Sequence, residues 1–156
     1  MAKNDKSKAD KYKNAIEKIE IAVYQITDLQ IHFELEDDPL SVVLKLKDEK
    51  IDFSLLPDGL KSIISWIADL LMKMDRIQWE GEVEIFDRNF ILFLDEIEVH
   101  LHPAWQRKIL PVIKKLFKNA QIFISTHSPF VVGSVDGAWV YKFRTPDLEQ
   151  TRVIPF

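Results

Sequence analysis

Ile91-Leu92-Phe93-Leu94-Asp95-Glu96 and, further along, Ile122-Phe123-Ile124-Ser125-Thr126-His127-Ser128-Pro129 carry the reading of this chain. Each begins as a short apolar run and ends in groups able to act on phosphate. Apolar runs of this length suit strands of a parallel sheet, covered on both faces. Open α/β sheets bind their ligands beyond the carboxyl ends of such strands. Two strands that end in an acidic pair and an imidazole therefore point to a nucleotide hydrolase. A phosphate-gripping loop of the form G-x-x-x-x-G-K-S/T is missing. The chain has four glycines, Gly59, Gly81, Gly133 and Gly137, and none fits it. Gly59-Leu60-Lys61-Ser62 has only the tail of that pattern.

Outward from these strands, the pattern is mixed. Residues 1–14 are polar and Lys-rich, and are expected to be frayed or a junction. Ile19 to Ile26, Leu29 to Leu35 and Val42 to Leu46 are rich in β-branched and aromatic residues with partial alternation, and read as antiparallel strands with one wet face. Asp37-Asp38-Pro39 and Lys47-Asp48-Glu49-Lys50 read as turns. From Asp58 the period changes. Ile63, Ile64, Ile67, Leu70, Leu71 and Met74 recur at helical spacing and predict a long amphipathic helix ending near Arg76. A loop is expected from Trp79 to Asp87. Pro103 suits the first turn of a further helix, whose apolar stripe is Trp105, Ile109, Val112, Ile113 and Leu116; Pro111 should kink it. A short turn of helix or a loop is expected at Phe130 to Val132, a last strand at Ala138 to Phe143, and an irregular tail with Pro146 and Pro155.

Composition narrows the class. A hydrophobic fraction of 47% supports a real core in one domain or one lobe. The formal net charge of −4 argues against a generally basic nucleic-acid binder. The absence of cysteine excludes disulfides and thiolate metal sites, and fits a cytoplasmic protein. No apolar run approaches the roughly 20 residues that span a bilayer, so no membrane partner is expected.

Asp95 and Glu96 are neighbours, so on a strand they point in opposite directions. One can then hold Mg²⁺ through hard oxygen ligation and the other can orient or deprotonate a water. An isolated Asp-Glu pair is more often a solvated strand end; the preceding apolar run and the second strand ending at His127 favour the functional reading. His127 could hydrogen-bond a terminal phosphate or the attacking water. His100 and His102, beside Glu98, could be read as metal ligands, but without an evident third and fourth ligand they fit capping and packing better. The start of the helix at Asp58 offers free N–H groups to an anion, with Lys61 in its first turn.

In this order these elements resemble the C-terminal part of an ATP-binding-cassette-type ATPase. They resemble most the RecF-like and overcoming-lysogenization-defect-like group, also called AAA-21-type, of soluble DNA-associated ATPases. The run from Leu94 to Gln106 looks like the Walker B and D-loop segment, "DEIE-x-HLHP-x-WQ". Ile124 to Pro129 looks like the switch-histidine segment. Leu56 to Ser62 stands in place of the signature motif. The resemblance implies an α/β fold: the C-terminal lobe of a P-loop ATPase head, with parallel core strands flanked by helices, plus an N-terminal antiparallel strand region. It implies Asp95 as the Mg²⁺ carboxylate, Glu96 as general base and His127 as switch residue. Asp58, Gly59, Lys61 and Ser62 would face ATP held by a like head in a dimer.

Two departures stand out. Pro57 replaces the signature serine, and the Walker A lobe is missing. The expected partners are therefore that N-terminal lobe, a second head forming a homodimer or similar pair, and, by family likeness, DNA and a nuclease subunit. The chain is expected to be part of a longer protein, or one half of a split ATPase, and inactive alone. Two alternatives follow from the same residues. One is a nucleotide-free dimerisation or docking module. The other, less economical, is a metal-dependent nuclease built on Asp95, Glu96, Glu98, His100 and His102.

Overall fold

The computed structural model describes residues 2–37, 40–47, 49–77, 83–143 and 152–155. Helix α1 (Ala2–Thr27) is followed by strands β1 (Ile31–Asp37), β2 (Leu40–Leu46) and β3 (Glu49–Ile51) and then by helix α2 (Asp58–Arg76). Strand β4 (Phe90–Leu94), helix α3 (Pro103–Leu116) and strand β5 (Ala120–Ile124) come next. A one-turn helix α4 (Pro129–Val132) and strands β6 (Trp139–Lys142) and β7 (Arg152–Pro155) complete the order.

β4 and β5 pair in parallel, with Phe90 opposite Ala120 and Leu94 opposite Ile124. Parallel neighbours need a long crossover, and α3 supplies it. This β4–α3–β5 unit puts the carboxyl ends of both strands at one rim. β1, β2 and β3 form a separate antiparallel sheet in sequential order. Ile31 and Leu44 turn into the core while His32 and Glu34 face solvent, so one face is wet as expected.

One core joins these parts. Val23 and Ile26 of α1, Leu60, Ile63 and Ile67 of α2, Leu92 of β4, and Ile109 and Ile113 of α3 are buried together with Phe117. The α2 and α3 stripes are those expected from the period, and α3 continues through Pro111 to Leu116.

Three expectations are corrected. Ile19 to Ile26 is not a strand but the last part of α1, whose backbone is helical from Ala2 onward, through the Lys-rich opening. Ala15, Ile19, Ala22, Val23 and Ile26 are buried while Ile21 and Tyr24 are exposed, which is a helical stripe rather than an alternation. α1 stops where the Thr27 hydroxyl bonds back to the Val23 carbonyl and Asp28 takes a φ of 60°, a left-handed conformation that Asp tolerates better than most residues. The tail is not wholly irregular, because Arg152–Pro155 pairs with β6. The parallel pair is covered on one face only. Leu92 is in the core, but Ile91, Phe93 and Phe123 are exposed, with the Phe93 and Phe123 rings stacked at 5.1 Å. The expected turn at Asp38-Pro39, Asp48, Gln78 to Glu82 and Pro146 lie outside the described residues.

Candidate functional site

The site is built where β4 and β5 end. The ladder continues one bond past the strands, the Ser125 N–H donating to the Leu94 carbonyl at 3.0 Å. The chain then turns sharply at Glu96, with φ 45°, and at His100, with φ 65°. Between them the Val99 N–H donates to the Glu96 carbonyl at 3.0 Å and the Leu101 N–H to the Glu98 carbonyl at 2.9 Å. The acidic run is thus wound into a tight loop that holds its carboxylates at the rim.

Ser125 joins the two strand ends. Its hydroxyl accepts from the Glu96 N–H at 3.0 Å and donates to Asp95 Oδ1. Glu98 makes a second tie. It accepts from the Thr126 hydroxyl at 2.6 Å and from the His127 N–H at 2.5 Å, one on each oxygen. Burial raises the Glu98 carboxyl, but the bonds from the Thr126 hydroxyl and the His127 N–H prevail and hold it below the usual glutamate value. A third tie uses Gln106, whose amide donates to the Leu101 carbonyl at 2.8 Å and accepts from the Ser128 hydroxyl at 2.6 Å. Ser128 also caps α4, accepting from the Phe130 and Val131 N–H groups.

Two of the sequence-predicted side chains therefore meet: His127 Nε2 lies 3.8 Å from Glu96 Oε1. Asp95 is held at the same strand ends through Ser125. Both approaching groups are open to solvent, the imidazole 91% and the carboxylate 54% exposed. The donor set fits Mg²⁺. The cation prefers a carboxylate or two, with water and phosphate oxygens filling the rest of its shell. Asp95 Oδ1 is engaged by Ser125, which leaves Oδ2 for such a role.

Asp58, Gly59, Lys61 and Ser62 stand at the start of α2. Among the described residues, no hydrogen bond or ion pair links them to Asp95, Glu96 or His127. Asp58 instead pairs with Lys61 at 3.3 Å. Pro57 precedes the helix without a side-chain cap, and its carbonyl accepts from the Leu60 and Lys61 N–H groups. Gly59 is nevertheless in touch with the loop. A Cβ there would come within 2.6 Å of the His100 carbonyl and 3.2 Å of the Trp105 ring. Gly59→Ala gains about 1 kcal/mol of helix propensity, yet drives the new methyl group into the His100 carbonyl. The expected net result is a loss of about 1–3 kcal/mol, read as a lower urea midpoint; an unchanged or higher midpoint would show that the two segments are not closely packed.

His102 caps α3, its Nδ1 accepting from the Ala104 N–H at 3.2 Å. Among the described residues no three His, Cys, Asp or Glu side chains are placed to hold a metal ion together. The His-x-His reading as a closed metal site therefore gains nothing. Sequence reading passed over the roles of Glu98, Ser125 and Gln106, because their partners are backbone groups and short polar residues whose proximity only the β4–β5 register reveals.

The model of the family described as "AAA domain, putative AbiEii toxin, Type IV TA system" matches residues 3–133. The chain belongs to the AAA-21 family. This AAA-21 chain is 31% identical over 134 residues to the "Retron Ec83 probable ATPase" of Escherichia coli, a match that covers 82% of the chain and 24% of that relative. It thus spans about a quarter of the relative's length. Its fold is that of SMC ATPase heads. The SMC head domain from Thermotoga maritima superposes with a TM-score of 0.57 at 16% identity, over 90% of this chain and 46% of that one. A structure concerned with ATP-driven dimerization and DNA-stimulated activation of SMC ATPases gives a TM-score of 0.57 at 15% identity, over 93% of this chain and 87% of the other. No described helix of the AAA-21 chain is long and apolar enough to cross a membrane.

Proposed function

We propose that this chain contributes the Walker B, D-loop and switch-histidine part of an ATP-hydrolysing head. Asp95 takes Mg²⁺, Glu96 orients and deprotonates the attacking water, and His127 reads the terminal phosphate. The observation that carries this is the approach of Glu96 and His127 to 3.8 Å at the rim of a parallel pair, with Asp95 tied to Ser125 at the same strand ends. The chemistry is that of a positioned base beside a hydrogen-bonding imidazole on a phosphoryl group.

Asp58, Lys61 and Ser62 face ATP held by a second head, in a symmetric pair, while Gly59, buried against the His100 carbonyl, lets the start of α2 sit close on the 96–101 loop. The phosphate loop comes from a Walker A lobe outside this sequence. Two observations support it: the sequence contains no such loop, and the chain spans only 24% of the length of the retron relative it matches. The open Ile91, Phe93 and Phe123 face is where a parallel sheet ordinarily carries a further layer. Coupling to DNA rests on likeness to the SMC and RecF-like ATPases alone.

The test is titration of the chain with Mg·ATP in a calorimeter. Little or no binding is expected at micromolar nucleotide, and binding should appear on adding the Walker A lobe. Tight binding by this chain alone would overturn the missing-lobe reading. A second reading, a nucleotide-free docking module, is favoured by one feature. Pro57 offers neither hydroxyl nor N–H where α2 begins. Absence of ATP binding even with the completing lobe would select it.

A further inference from the structure

Glu98 is the acid at this rim that the proposed chemistry does not use, and its surroundings differ from those of Asp95 and Glu96. Both its oxygens are engaged, by the Thr126 hydroxyl at 2.6 Å and the His127 N–H at 2.5 Å. Each of its oxygens has a partner within the protein and the residue is half-buried, whereas Asp95 and Glu96 are exposed. The bonded pair also spans the two strand ends, since Glu98 follows β4 and Thr126-His127 follow β5.

What this tie holds is the switch histidine. The His127 imidazole is 91% exposed, and its recorded side-chain neighbour is Glu96 at 3.8 Å. A ring with so little packing of its own is placed by its backbone, and the His127 backbone N–H ends on Glu98. Hydrogen bonds to an ionised carboxylate are among the stronger ones, so this is a firm anchor. The Ser128 N–H, accepted by Thr126 Oγ1 at 3.0 Å, extends the hold to the next residue.

We propose that Glu98 is a positioning residue, a clamp that fixes the Ser125–Ser128 segment to the 96–101 loop and so sets the spacing between Glu96 and His127. Its value for turnover rests on the ATPase reading; the clamp itself does not. The roles of carboxylate charge and of clamp geometry separate by substitution. Gln at this position keeps one oxygen for the His127 N–H and offers an amide N–H to the Thr126 oxygen. Ala keeps neither.

Amide hydrogen exchange at His127, read by NMR on this chain, tests the clamp directly. Glu98→Ala should accelerate exchange by about tenfold to a hundredfold, and Glu98→Gln should stay within a few-fold of the parent. Unchanged exchange in Glu98→Ala would overturn the clamp. If Glu98→Ala does not fold, Thr126→Val removes one arm and should give an intermediate acceleration, with no acceleration again counting against the proposal. In the complete protein, Glu98→Ala should lower kcat about 10²-fold with KM for ATP little changed, because a misplaced group costs turnover rather than binding. Glu98→Gln should restore most of it. A Gln variant as slow as Ala would show that the carboxylate acts chemically, and would overturn positioning as its role. Should the complete protein not hydrolyse ATP at all, the ATPase reading falls while the exchange result still judges the clamp.

Discussion

Glu96→Gln in the complete protein is expected to bind Mg·ATP as before and to lose turnover by about 10²–10⁴. The two side chains have the same shape, so the rim should keep its form. The Glu96 N–H stays bonded to the Ser125 hydroxyl at 3.0 Å, and the φ of 45° is a backbone property. What is lost is the ability to accept a proton. Asp95 cannot take over, because it is the adjacent residue and its Oδ1 is engaged by Ser125. Glu98 is a weaker base, because the Thr126 and His127 hydrogen bonds favour its charged form. Steady-state hydrolysis beside an equilibrium ATP titration separates the two effects. Turnover near that of the parent would remove Glu96 as the base.

The second large effect is structural. Phe117 is 1% exposed and follows directly on α3. Its ring lies 5.4 Å from Phe86 and 5.6 Å, edge to face, from Phe90. Truncation to alanine removes the ring contacts and leaves a hole walled by two other aromatics, which cannot both collapse into it. The expected cost is about 3–5 kcal/mol, a large share of the 5–15 kcal/mol typical of a domain. Denaturation by urea, followed by tryptophan fluorescence, gives the value. A loss below about 1 kcal/mol would mean that the aromatic cluster is not the centre of the core. Phe90 opens β4, the strand that ends just before Asp95, so softening this cluster also loosens the base of the candidate site.

The parts of the fold that were legible have one period each. α2 and α3 repeat apolar residues at helical spacing over several turns, and β4 and β5 are short apolar runs closed by polar groups. α1 was not legible because Ile19-Glu20-Ile21-Ala22-Val23-Tyr24-Gln25-Ile26 fits both periods. Its β-branched and aromatic content weighs toward a strand, while packing of Ile19, Val23 and Ile26 into the core selects the helix. Tertiary burial decided where local preference was divided. In the site, Asp95, Glu96 and His127 could be named because residue type alone limits what they do. Glu98 could not, since its part depends on the His127 N–H, in the segment that follows the strand paired with β4.

The stacked Phe93 and Phe123 rings bear on how this polypeptide behaves in a test tube. Taken alone, it carries an oily ribbon into water, and such ribbons cling to one another without any nucleotide. Clumping that grows with concentration would therefore report greasy contact. Only pairing that waits for Mg·ATP would speak for two heads closing on their fuel.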